Sequence, residues 1–175
     1  APDCLLLPSP IDYMEDHQNT ARIFATAAFV RGIPNFTTEP PVAAVSKQVA
    51  VYHAMPYGLD GPLGERIDPE LVVDVTGMDT ERRAALEAHA SQRDWLDASQ
   101  GPDTYVGALF ETSAEIARRA GISGHAEGWR RRSHRGLCAP DYRPLEATLG
   151  ERVRIARRPP DHGDSIDGET MEDET

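Results

Sequence analysis

Cys4 to Leu7 is a four-residue apolar run, closed in front by Asp3 and behind by Pro8-Ser9-Pro10. A run this short between turn residues reads as a buried strand. From about residue 16 to 31 the apolar period changes. Ala21, Phe24, Ala25, Ala28 and Phe29 recur at three- and four-residue spacing, and Gly32 with Pro34 ends the pattern. A strand handing over to an amphipathic helix is the building unit of a layered α/β sheet, and its repetition along a chain suggests that fold class.

The alternation continues downstream. Residues 33–47 are a Pro- and Thr-rich loop, Val49 to His53 reads as a short strand, and Pro56 to Pro69 as a loop. Leu71 to Val75 is a further strand. Residues 77–98 are the strongest helical stretch: Thr76 is placed to cap it with Asp79 three residues on, Ala85, His89, Gln92 and Leu96 share one face, and Gly101-Pro102 ends it. Asp103 is placed to cap a helix to about Arg119, closed by Gly121. His125 to Trp129 is a last strand candidate, Asp141 to Leu149 a short helix, and order is expected to fade after Ile155. So few strands make a thin sheet for a chain of this length.

The charge is unevenly spread. The chain carries a net −11, but seven of its 29 acids fall between Asp161 and Glu174, where there is no Lys or Arg. With those seven set aside, 22 acids face 18 bases, so the body is nearly balanced and nucleic acid is not the expected partner. Residues 156–175 read as an acidic disordered tail. No run of about 18 apolar residues is present, so no membrane span is expected. Cys4 and Cys138 are far apart and read as two reduced thiols in a cytoplasmic protein.

The chemistry-bearing stretch is Asp12-Tyr13-Met14-Glu15-Asp16-His17, just past the first strand, where open α/β sheets keep their sites. Neutral imidazole is a good metal ligand, and a nearby carboxylate can hold its tautomer. By spacing alone, such a pair is more often a helix cap beside a surface imidazole. His89 and Gln92 are either interior or pocket-lining. Glu127 with Arg130 reads as a structural ion pair or as substrate contacts. Arg130, Arg131, Arg132 and Arg135 follow Trp129 with no aromatic interleaving, which favours a solvated or subunit-contacting segment.

Three blocks in order sharpen this reading. Ser9-Pro10-Ile11-Asp12-Tyr13-Met14-Glu15-Asp16-His17, with Ala27-Ala28-Phe29 and Ile33-Pro34-Asn35-Phe36, resembles the second motif region of the LmbE-like (PIG-L) zinc deacetylases. Val72-Val73-Asp74-Val75-Thr76 running to His89-Ala90-Ser91-Gln92 resembles that family's V-D-I-T strand and H-x-S-Q helix. Ala126-Glu127-Gly128-Trp129-Arg130 resembles its A-E-G-F-R segment.

The resemblance implies a Rossmann-like three-layer α/β sheet with flanking helices. It implies Zn2+-dependent removal of an N-acetyl group from an amino-sugar-type substrate. His17 would be a zinc ligand and Asp16 would support it. Asp12 and His89 would be pocket residues, and Gln92, Glu127 and Arg130 substrate contacts. The family's other zinc ligands come from an A-H-P-D-D-x-E motif that this sequence does not contain. Residues 1–155 are therefore expected to be the C-terminal part of such a domain, lacking its N-terminal strands and inactive alone. Copies are expected to associate through an apolar edge at Leu5 to Leu7. Met14 stands where the family carries a histidine, so the family's acid role has no residue there, and His53, His89 and His125 are the candidates to supply it from elsewhere. The alternatives are a non-catalytic relative serving as a binding or assembly module, and a metal hydrolase acting on another amide or glycosidic bond.

Overall fold

The computed structural model describes residues 1–101 and 103–156. Among these residues, five strands and five α-helices follow in chain order: β1 (Cys4–Leu7), α1 (Glu15–Val30), β2 (Ala50–Ala54), β3 (Leu71–Asp74), α2 (Asp79–Glu87), α3 (Ala90–Gln100), α4 (Thr104–Arg119), β4 (Ala126–Arg131), α5 (Pro144–Leu149) and β5 (Val153–Ile155). The strands form one sheet in the order β1-β2-β4-β3-β5. β1 and β2 are parallel and joined through α1, while β4 lies antiparallel to both β2 and β3, and β5 antiparallel to β3. The chain is thus a mixed α/β domain of general Rossmannoid arrangement, with helices packed on a five-stranded sheet.

Residues paired across strands share a face, and neighbours along a strand alternate. One face carries Leu7, Val51 and His53 in the β1–β2 pair, then Arg130, Gly128 and Val72. α1 covers part of this face: Ala25 and Ala28 pack with Leu7, Val49, Val51 and Leu137. α4 covers the rest, setting Ile116 and Ala117 on Val72 and Ala126. The opposite face carries Ala50, Tyr52 and Leu71, closed by Leu145 of α5. Tyr52 is wholly buried there, and its hydroxyl donates to Glu146 Oε2 at 2.6 Å.

The expected elements are present, with instructive differences. In α1 only the alanines Ala21, Ala25 and Ala28 are buried, while Phe24 and Phe29 are about half exposed. Small residues let the helix sit close to the sheet, which displaces the larger rings to its flanks. The single helix expected over 77–98 is two. Its Thr76 hydroxyl contacts the Ser123 and His125 carbonyls instead of capping, and the chain bends at His89 (φ −80°, ψ 59°). α2 buries none of its residues, so nothing holds a longer straight helix, and after the bend α3 packs along α4. Asp103 does precede α4, but in a left-handed conformation and without a side-chain cap. The strand at 126–131 is not the last, because β5 adds an edge beyond β3. At the other edge, Leu6 is 51% exposed, Leu5 half-buried and Leu7 buried. The expected acidic tail, apart from Ala156, lies outside the described residues. Among the described residues, no helix is long and apolar enough to cross a membrane.

Candidate functional site

Pro8-Ser9-Pro10 ends β1 and turns the chain toward α1. Ser9, nearly buried, ties the turn by donating its hydroxyl to the Ile11 carbonyl (2.6 Å) and accepting the Ile11 N–H (3.1 Å). The turn delivers Asp12, only 3% exposed, beneath the first turn of the helix. A buried carboxylate must be satisfied to be tolerated. Its Oδ1 accepts the Met14 N–H at 2.9 Å, and its Oδ2 lies 3.2 Å from His17 Nδ1. The Gln18 amide donates to the Asp12 carbonyl.

The consequence falls on His17. A carboxylate on Nδ1 holds the proton at that nitrogen and leaves Nε2 with its lone pair directed away. The His17 side chain is 42% exposed, so Nε2 is accessible to a ligand. This is the environment that suits an imidazole metal ligand. Asp12, rather than Asp16, holds the ring; Asp16 is exposed on the first turn of α1.

His17 lies four residues before Ala21 on the stripe that faces the sheet. That stripe covers the sheet face on which β2 carries His53. His53 is 4% exposed, its Nδ1 is 2.9 Å from the Pro8 carbonyl, and its Nε2 faces Arg132 Nη1 at 3.5 Å. Burial pushes its pKa below the ordinary histidine value. The Pro8 hydrogen bond opposes the shift, and the Arg132 and Arg130 charges reinforce it. Its Nδ1–H therefore serves Pro8 and its Nε2 accepts from Arg132, the pattern of a neutral ring. His53, Arg130 and Arg132 thus meet at the β2–β4 register, and the Asp12–His17 pair follows the same end of β1, with no hydrogen bond or ion pair joining the two groups among the described residues. From the sequence, His53 was only one of three histidines that could replace the family acid. Strand alternation was the available signal, since it puts His53 on the same face as the apolar Val51.

The other expected residues lie elsewhere. His89 is exposed at the bend between α2 and α3, and Gln92 is exposed on α3. Glu127 and Arg130 do not pair with each other. Three residues apart on β4, they point to opposite faces. Glu127 instead meets Arg82 (3.7 Å), which also approaches Asp79 and donates to Ser113 Oγ at 3.0 Å. A second carboxylate–imidazole pair, Asp79 with His125 Nδ1 at 2.9 Å, adjoins this cluster, with Phe110 edge-on to the ring. Asp74 accepts the Thr76 N–H at 2.9 Å and so caps a turn, which holds its carboxyl below the usual range. Arg131 leaves the basic run altogether: it points to the α5 face and donates to the Tyr142 and Pro140 carbonyls.

Among the described residues, no group of three or more His, Cys, Asp or Glu side chains is arranged to hold a metal ion. A cavity of about 470 Å3 between α4 and β5, lined by Arg66, Asp68, Arg119 and Arg154, contains none of Asp12, His17, His53, Arg130 and Arg132. No protein-family model matches the chain, and no curated protein is similar enough to it to count as a match.

Proposed function

We propose that this chain carries part of the active site of a zinc-dependent amide hydrolase, an N-deacetylase acting on an amino-sugar-type substrate. The observation that supports it is the buried Asp12 carboxylate set against His17 Nδ1, with Nε2 left accessible. A hydrolytic zinc takes three protein ligands. His17 supplies one, and the reading requires two more from outside these 175 residues, on strands that would pair with the open edge of β1 in a three-layer sheet. Bound there, Zn2+ would supply a Lewis acid for the amide carbonyl and bring the pKa of water into the neutral range.

Each residue of the two groups at the ends of β1 and β2 then has a task. Asp12 orients His17. His53, neutral, accepts from Arg132 and fixes that side chain at the sheet end. Arg130, half-buried beside His53, is available to a substrate. Glu127, held by Arg82, serves as a support of the β4 end, and Gln92 and His89 are assigned no contact. The test is acetate release from N-acetylamino sugars by the full-length gene product loaded with Zn2+. Activity is expected in the parent and loss of both zinc and activity in His17→Ala. A His17→Ala variant that retained its zinc would remove the reading.

Met14 favours a second reading, a non-catalytic relative, because a thioether donates no proton. In that case zinc binds through His17 and no acetate is released.

A further inference from the structure

Arg132 and Arg135 stand together on one concavity without an acid beside them. Several guanidiniums of this chain find a carboxylate: Arg66 with Asp68, Arg82 with Asp79, Arg83 with Glu87, Arg118 and Arg119 with Glu115. Others, such as Arg31 and Arg131, are spent on backbone carbonyls. Among the described residues, no carboxylate pairs with Arg132 or Arg135. Both line one cavity of about 330 Å3 between α1 and the loop after β4, together with Thr26, Phe29 and Ser133. No acid lines it.

Two like charges facing one concavity repel each other unless an anion joins them. Both arginines are exposed, and the loop that carries them is set by two contacts. Arg132 reaches His53 Nε2 with a single Nη1, so its other donors are uncommitted to that contact. Phe29 lies against Gly136, whose backbone is left-handed (φ +75°) and where a Cβ would fall 2.3 Å from the ring. A glycine there lets the loop close over the aromatic wall.

We propose that this cavity is an oxyanion-binding site, with Arg132 and Arg135 as the cationic jaws, Ser133 as a neutral donor and Phe29 as an apolar wall. Its ligand is a phosphate or carboxylate group borne by a small molecule. Guanidinium forks match both groups with paired hydrogen bonds. The inference does not depend on amide hydrolysis, because binding is read without turnover.

The experiment follows backbone amide shifts of the 175-residue protein during titration with inorganic phosphate, and separately with acetate, at constant ionic strength. Saturable shifts centred on residues 132–136 and on Thr26 to Phe29 are expected. Arg132→Gln with Arg135→Gln should weaken binding by about tenfold or more, from the loss of two charge-assisted hydrogen bonds, while Arg22→Gln leaves it unchanged. Tighter phosphate binding assigns a phosphorylated ligand and tighter acetate binding a carboxylated one; both support the site. Shifts spread over the whole surface, equal responses to chloride, or unchanged affinity in a double variant that keeps its native amide spectrum would overturn it.

Discussion

The Asp12 carboxylate is buried at 3% exposure with one oxygen 3.2 Å from His17 Nδ1 and the other on the Met14 N–H, so one acid both ties the turn before α1 and sets the tautomer of the imidazole. Removing it leaves the Met14 N–H and the His17 ring without their acceptor. Asp12→Ala is expected to destabilise the fold by about 1–3 kcal/mol, the cost of unsatisfied buried donors. Asp12→Asn, which keeps an acceptor oxygen, should cost less. Urea unfolding midpoints of the three proteins check the order, and an unchanged midpoint for Asp12→Ala would refute it.

His53 predicts a pH dependence whose sign follows from burial. Its folded pKa lies below the unfolded value of about 6.5, so below that pH the unfolded chain binds the proton first. The stability it contributes is present above about pH 6.5 and declines as pH falls toward the folded pKa. Unfolding free energies measured from pH 7.5 to pH 5 should fall in the wild type. In His53→Asn that part of the slope should be missing, although the variant is less stable at neutral pH.

Gly128 sits on β4 where a Cβ would meet Met55 Cγ at 2.6 Å, Pro69 Cβ at 3.1 Å and Ile116 Cδ1 at 3.4 Å. Gly128→Ala restricts the unfolded chain and would gain about 0.4–1 kcal/mol on that account. Overpacking against a rigid proline costs about 1–3 kcal/mol, which wins. A lowered denaturation midpoint is expected, and a raised one would show that Met55 and Pro69 yield freely.

Tyr52 is buried completely, and its hydroxyl donates a hydrogen bond to Glu146. Burial, with the Glu146 hydrogen bond and charge, pushes its pKa well up, so the phenol is protonated throughout the accessible range. Tyr52→Phe should lose about 1 kcal/mol of stability, whereas Tyr13→Phe, at an exposed ring, should lose nothing measurable.

How far the sequence carried depended on how much each segment owed to its own pattern. β1, α1 and β3 were legible because an apolar run or a helical period was bounded by turn residues. β5 was not, because Val153–Ile155 is three residues of edge strand around Arg154, with Ile155 exposed. The break at His89 was invisible, because only the packing of α3 on α4 requires it. At the site, Asp12 and His17 were readable from their place after β1. Their contact was not, since it depends on the Ser9 turn. The corner formed by His53, Arg130 and Arg132 needed the β2–β4 register.

The central claim is that His17 Nε2 is a metal-binding nitrogen prepared by Asp12. Side-chain 15N spectra of the histidines during Zn2+ titration of the full-length gene product, which the reading requires to supply the other two ligands, test it directly. The account predicts a selective response at His17 Nε2, none at His53, and loss of the response in His17→Ala. Asp12→Asn should weaken it about 10–100-fold, the usual cost of removing an orienting carboxylate. A Zn2+ response at other histidines with His17 unmoved would contradict the account.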